Sequence, residues 1–461
     1  MPASGATKVV VIGGDAAGMS AASVAKRRAG EGVDVVVFEQ GELTSYALCG
    51  LPYFVAGMVD DPDALVARTP AQHRANGIDV RTGHEVRRID VAAREVEVLV
   101  GAEGTVVREP YDRLVIATGA APVWPPFPGI DARGVTGVHS IPDALAIDAL
   151  LRDRDARRAV VVGGGYIGLE MVEAFLARGL EVTLVEKVSQ PMATLDADMA
   201  ARVSDALREL DVDLRLGVGV EGFETGPDGW VTAVATEAGT VAADVVLLGL
   251  GVRPRVDLAR AAGIVVGPSG AIATDGHLRT SVPDVYAAGD CAESRHRVTG
   301  RPVSIALGTH ANQQGRVVGE NLAGGDATFP GVLGTAVTKV CDTEIARTGL
   351  SEREAAEAGI DAVAETTEGR TRAGYYPGAA PAAVKVVVAR APGRMLGAQI
   401  VGGPGAAKRI DAFAVGVWNE MTVHEFSQVD LGYAPPFAAP IDVSLVAARR
   451  AGHRRETDEP S

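Results

Sequence analysis

The chain has 461 residues, nearly half of them apolar, and a formal net charge of −15. That length calls for two or three cores rather than one, and the acidic balance excludes nucleic acid and anionic lipid as natural partners. Three scattered cysteines are too few for a disulfide framework, and no apolar run approaches the roughly 20 residues of a membrane span.

The opening MPASGATK has no apolar signal core, so a cytoplasmic location is expected. The first predicted unit is KVVVIGGDAAGMSAASVAKRR…VDVVVFEQ. An apolar run, a glycine turn, a helical pattern and a second apolar run ending in Glu39 make a βαβ unit. Gly13 and Gly18 fit the first and third glycines of G-x-G-x-x-G, with Asp15 at the second place. A carboxylate beside a pyrophosphate is electrostatically odd. Asp15 either points away or is bridged through water or a metal, and the turn alone reads equally as packing. Lys26, Arg27 and Arg28 end the helical pattern, by the plainest reading a solvated helix end. SYALCGLPY follows, and residue 54, five after Cys49, is Phe rather than a second cysteine.

The strand-like YDRLVIATG runs into Thr118 and Gly119, then a Pro-rich stretch. A second βαβ unit, RAVVVGGGYIGLEMVEAFLARG…LEVTLVEK, begins about 150 residues after the first. Here Gly163, Gly165 and Gly168 complete the fingerprint, with Tyr166 inside it. The glycines permit a tight turn, close backbone approach to a pyrophosphate, and helix–strand packing. Glu186 ends the next strand, where a carboxylate accepts from a ribose hydroxyl and repels a 2′-phosphate. That favours NADH over NADPH, with Lys187 acting the other way. DVVLLGLGVRPR carries Gly251, and TDGHLRTSVPDVYAAGDCA carries Asp290. GTHANQQGRVVGENLAG reads as a helix opening near His310 and Ala311 and stopped by a glycine pair. From about Gly331 the texture becomes α+β, and a polar tail follows Arg450.

Taken in order, the two fingerprints, ATG, GVRP and AAGD resemble the flavin-dependent pyridine-nucleotide disulfide oxidoreductases. The resemblance implies an α/β fold with two Rossmann-like dinucleotide-binding domains and a C-terminal α+β dimerisation domain. An FAD-binding domain would take residues 1–120 and 255–330, an NAD(P)H-binding domain 121–254, the interface domain 331–450, and a flexible tail 451–461. It further implies that Gly13, Gly18, Glu39, Asp290, His310 and Ala311 serve FAD. Gly163, Gly165, Gly168 and Glu186 would serve NADH or NADPH, with Tyr166 gating the nicotinamide. Thr118, Gly119 and Gly251 complete the cofactor set. A homodimer with shared active sites is expected, and no metal site.

Within the family, the lone Cys49 resembles the single-cysteine branch. Ala16 stands where oxidases and peroxidases carry a His, whereas CGLPY, AGYYPG and DLGYAPPF resemble the coenzyme A-disulfide reductases. That implies catalysis by Cys49 with Tyr375 and Tyr433 of a partner subunit. It also implies contacts from Lys26, Arg27, Arg28 and Ser45 to a coenzyme A-linked substrate. Leu48 replaces the Asn often found before the cysteine, and no rhodanese extension follows the interface domain. The reaction expected is NAD(P)H-dependent reduction of a low-molecular-weight disulfide, such as coenzyme A disulfide or a related persulfide or polysulfide. The alternative is an NADH oxidase that reduces oxygen through a Cys49 sulfenate. A ferredoxin- or rubredoxin-type reductase and a non-catalytic flavoprotein sensor are further rivals. Cys291 and Cys341 read as structural.

Overall fold

The computed structural model describes residues 5–101 and 104–457. The valine-rich runs of the first βαβ unit become central strands of a five-stranded parallel sheet. Its order is Val285–Ala287, Arg113–Ile116, Thr7–Ile12, Val33–Phe38 and Asp79–Arg81. Val9, Val10 and Val11 are all fully buried, as a parallel sheet covered on both faces requires. The helix Ala16–Ala29 lies against the helix Gly308–Leu322. Small residues set their separation: a Cβ on Gly315 would fall 2.3 Å from the Ala17 carbonyl oxygen, and one on Gly319 2.6 Å from that of Ala21. This contact brings the start of the later helix beside the first glycine turn.

The second βαβ unit builds a matching parallel sheet. Its order is Asp213–Leu216, Glu181–Glu186, Arg158–Val162, Val245–Leu248 and Val135–Thr136. Each Rossmann-like sheet carries an antiparallel three-stranded insertion, within residues 84–110 in the first and 220–242 in the second. An antiparallel ribbon of Ala120–Pro122 and Val252–Pro254 joins the two halves.

The C-terminal sheet is antiparallel, in the order Ala336–Val340, Thr343–Gly349, Met395–Gly402, Pro381–Ala389 and Ala362–Arg370. Alternation sorts the strand Pro381–Ala389. Val384, Val386 and Val388 face a core shared with Ile410, Phe413 and Val443, while Ala383 joins the core of the second parallel domain. The sheet is therefore buried on both sides, one of them against the nucleotide-binding part of the chain.

The polar tail expected from residue 451 is partly corrected. A helix runs Val443–Thr457, with Ala447, Ala448 and Ala451 buried. An alanine stripe docks it while Arg449, Arg450 and Arg454 stay exposed, so polar composition concealed a packed face. Residues 458–461 of that tail lie outside the described residues. Among the described residues no helix is long and apolar enough to cross a membrane.

Candidate active site

The two fingerprints are one device built twice. Gly13 and Gly163 have φ of 107° and 104°, and their Cβ positions would meet the carbonyl oxygens of Ala117 and Gly249 at 2.1 and 2.5 Å. A Cβ on Gly18 would strike the Gly13 oxygen at 2.0 Å, and one on Gly168 the Gly163 oxygen at 1.9 Å. Only glycine fits these four places, because strand, turn and helix backbones touch there. The terminal acids match as well. Glu39 accepts from the Gly14 and Gly41 amides at 2.7 and 2.8 Å, and Glu186 from those of Gly164 and Val188 at 2.7 and 3.0 Å. Each carboxylate thus closes its own turn.

The middle position differs between them. Gly165 begins the helix Tyr166–Ala177, and a Cβ there would meet nothing within 4 Å. Such open space over a helix N-terminus fits a pyrophosphate. Gly119 and Gly251, at φ 68° and 83°, also have no atom within 4 Å of their Cβ positions. Thr118 is engaged in structure: its hydroxyl donates to the Arg255 carbonyl at 2.7 Å.

Asp15, the unusual member of the first fingerprint, turns to the Cys49 loop. Its Oδ1 accepts from the Tyr46 amide at 3.2 Å. Burial, chiefly, pushes its carboxyl up to about 6, and the nearby Glu39 and Asp290 carboxylates add to the shift. The Ser45 amide donates to the Gly14 carbonyl at 3.1 Å, so the loop docks on the fingerprint at two points. Ser45 adopts φ 51°, and its hydroxyl lies 3.0 Å from His73 Nε2.

The chain then makes a short 3₁₀ turn, Leu48–Gly50, and a helix, Leu51–Val55. Leu51, Phe54 and Val55 anchor this helix in the core of the second parallel domain. Cys49 is left exposed at the start of that rigid piece. Partial burial raises its thiol pKa, and Glu170, Asp290 and Asp15 raise it further. Because the residue is open to solvent, the acidic surroundings matter beside the desolvation. Cys291 is fully buried, with its sulfur 3.4 Å from two carbonyl oxygens, and Cys341 is half-buried at φ 50°.

Glu170 is a site residue that sequence reasoning missed. It lies one helical turn beyond Tyr166 and accepts from the Thr338 hydroxyl at 3.1 Å, and burial raises its pKa. Glu173, on the next turn, pairs with Lys339 and accepts from the Cys341 amide at 3.1 Å. Two carboxylates in the apolar stretch YIGLEMVEAFL were the available signal.

Asp290 fits a hydroxyl-rich ligand. Its half-buried carboxylate accepts no hydrogen bond among the described residues, and burial alone raises its pKa. The ribityl chain of FAD would supply the missing donors. The adjacent Gly289 amide donates to Gln314 on the helix Gly308–Leu322 at 2.6 Å. Ala311 is buried at the start of that helix, and His310 beside it has its pKa lowered by burial.

The remaining candidates divide. Tyr375 and Tyr433 are 78% and 49% exposed, and they stand next to each other. Partial desolvation, then the neighbouring Tyr375 hydroxyl, raises the Tyr433 phenol. The bond from the Ala373 amide to the Pro435 carbonyl, 3.2 Å, joins their two loops. Of the three bases, Lys26 donates to the Val33 carbonyl at 3.2 Å and Arg28 pairs with Glu320 at 3.1 Å. Among the described residues Arg27 has no such partner and is exposed. Among the described residues no cluster of three metal-ligating side chains occurs.

Residues 7–315 match the pyridine nucleotide-disulphide oxidoreductase family, and residues 335–443 match the dimerisation domain of the same name. The NAD(P)H coenzyme A polysulfide/persulfide reductase of Pyrococcus horikoshii is 41% identical over 96% of this chain and 98% of its own. The fold is similar to the reduced CoADR-RHD of Bacillus anthracis, with TM-score 0.94 and 34% identity over 98% of this chain and 81% of that one. It is equally similar to an NAD-dependent persulfide reductase from A. fulgidus, with TM-score 0.94 and 38% identity over 98% and 84%.

Proposed function

The chain belongs to the pyridine nucleotide-disulphide oxidoreductase family, and within it we propose an enzyme that uses NAD(P)H to reduce a low-molecular-weight disulfide at Cys49. The substrate class is coenzyme A disulfide or a related coenzyme A-linked persulfide or polysulfide. One observation carries the reading: Cys49 is exposed on a loop docked to the first fingerprint, while the sequence around it offers no second thiol. A thiol so placed takes its sulfur partner from solution. Two relatives, a coenzyme A polysulfide/persulfide reductase and a coenzyme A disulfide reductase, act on coenzyme A-linked sulfur by their names.

The first glycine turn, Glu39 and Asp290 would hold FAD, which would supply a two-electron relay between nicotinamide and sulfur. The chain does the rest. The second glycine turn and Glu186 bind NAD(P)H, with Tyr166 over the nicotinamide. Glu186 favours an unphosphorylated ribose, so NADH is the preferred donor. Cys49, as thiolate, attacks one sulfur of the substrate; a mixed disulfide forms and the other sulfur leaves. Tyr433 or Tyr375 of a second copy protonates the leaving sulfur, since a phenol of pKa near 10 lies just above a thiol. Their exposure on their own chain supports service across a dimer. Arg27, exposed and without a partner among the described residues, would meet a substrate phosphate, with Lys26, Arg28 and Ser45 as further contacts.

The test is the Cys49→Ser holoenzyme assayed with coenzyme A disulfide and coenzyme A persulfide. Turnover should fall by at least about a thousandfold while NADH still bleaches the flavin. Wild-type turnover in the variant points to a partner-protein reductase. NADH-coupled oxygen consumption without stimulation by any disulfide points to an oxidase.

A further inference from the structure

The segment of residues 190–196 sits directly on the second fingerprint. Its Met192 amide donates to the Gly164 carbonyl at 2.7 Å, and Pro191 lies 3.2 Å from where a Gly164 Cβ would stand. The Thr194 hydroxyl lies beside the Tyr166 phenol. Met192 holds φ 49° although it is not glycine, a conformation that persists only where surroundings impose it.

Those surroundings come from the interface domain. Arg347 Nη1 donates to the Thr194 carbonyl at 2.6 Å, and Arg353 Nη2 to that of Ala193 at 2.9 Å. The Asp196 amide donates to Gln399 Oε1 at 2.8 Å, and Gln399 Nε2 returns a bond to Asp196 Oδ2 at 2.6 Å. Arg347 is fixed in turn by Glu354 at 2.6 Å and by the Gly349 carbonyl at 2.7 Å. Arg347 and Gln399 are 8% and 1% exposed, so water does not substitute readily for either.

We infer that Arg347 and Gln399 are positioning residues for the NAD(P)H site. They touch neither nucleotide nor reacting sulfur. They hold residues 190–196, and through them the Gly164 turn and Tyr166, in the geometry that accepts the nicotinamide half of the cofactor. The inference rests on the reading of the second fingerprint as the NAD(P)H site.

The experiment uses flavin-loaded Arg347→Met and Gln399→Met enzymes, the second serving if the first does not fold. Arg113→Met, which removes bonds to the Asn321 and Leu322 carbonyls in the first domain, controls for general loss of stability. The KM for NADH and the NADH concentration for half-maximal flavin bleaching should rise about fivefold or more. The KM for the disulfide, flavin content and bleaching rate at saturating NADH should stay near wild type, and the control should show no such split. An NADH KM within about twofold of wild type in a flavin-loaded variant overturns the inference, as does an equal rise in the control. If neither NADH nor NADPH bleaches the wild-type flavin, the site reading itself falls and takes the inference with it.

Discussion

Glu186 accepts a 2.7 Å hydrogen bond from the Gly164 amide, so the carboxylate that ends the strand Glu181–Glu186 also shapes the glycine turn of the second fingerprint. Its other oxygen takes the Val188 amide at 3.0 Å. The acid is therefore held in place by its own chain, and under the proposed reading of this turn its charge opposes a 2′-phosphate.

Glu186→Gln keeps an acceptor for one amide and removes the charge. The ratio of kcat/KM for NADPH to that for NADH should rise about tenfold, equivalent to about 1.4 kcal/mol, mostly through KM for NADPH. Steady-state assays with both nucleotides check this. An unchanged ratio would mean that the exposed Lys187, not Glu186, governs the choice.

Glu170 and Cys49 belong to different domains in sequence yet share one electrostatic neighbourhood. After burial, Glu170 is the leading cause that raises the thiol. Removing its charge in Glu170→Gln should ease formation of the thiolate. The rate of Cys49 alkylation by iodoacetamide, followed against pH, should then reach half its plateau at a lower pH than in wild type. A shift the other way would mean that Glu170 is protonated and donates a hydrogen bond to the thiolate instead.

Asp15 yields a stability prediction with a definite sign. Its folded pKa of about 6 lies above the ordinary 3.8, so the folded state favours the protonated form. The group destabilises the fold above pH 6, and that penalty fades as pH falls through 6 toward 4. Asp15→Asn keeps the acceptor for the Tyr46 amide without the charge. In flavin-free protein the variant should be more stable at pH 8 by about 1–2 kcal/mol after allowance for solvent. The gap should be about half as large near pH 5 and close only below about pH 4. Denaturant titrations at the two pH values measure it.

The fold and both glycine turns were legible because their signals are local. Gly13, Gly18, Gly163 and Gly168 are dictated by backbone contacts within their own βαβ units and the strand beside them, and apolar runs of five or six residues announce parallel strands. What stayed hidden depends on distant partners. Asp15 could not be oriented because its donor, Tyr46, is 31 residues away. Lys385 sits in the strand AVKVVVA, where a lone charge looks like an outward face. It is buried against Asp198, Asp196 and Glu352 from elsewhere in the chain. Lys26 and Arg28 read as free bases, yet the Val33 carbonyl and Glu320 already engage them. Tyr375 and Tyr433 were named through motif resemblance alone, since no local pattern marks two exposed phenols as partners.

The glycines of the second fingerprint separate packing from binding in a single pair of variants. A Cβ on Gly168 would lie 1.9 Å from the Gly163 carbonyl oxygen, whereas one on Gly165 would meet nothing within 4 Å. Gly165 has φ −83°, which alanine adopts without strain. Gly168→Ala should therefore destabilise the protein by about 2–4 kcal/mol, because helix and turn must part to admit the methyl group. Gly165→Ala should leave the unfolding midpoint unchanged and yet raise KM for NADH about tenfold or more, because its methyl group occupies the space left for the pyrophosphate. Thermal unfolding and NADH kinetics on the two variants distinguish the roles. If Gly165→Ala instead binds NADH as wild type does, the open space above the turn is not where the dinucleotide lies.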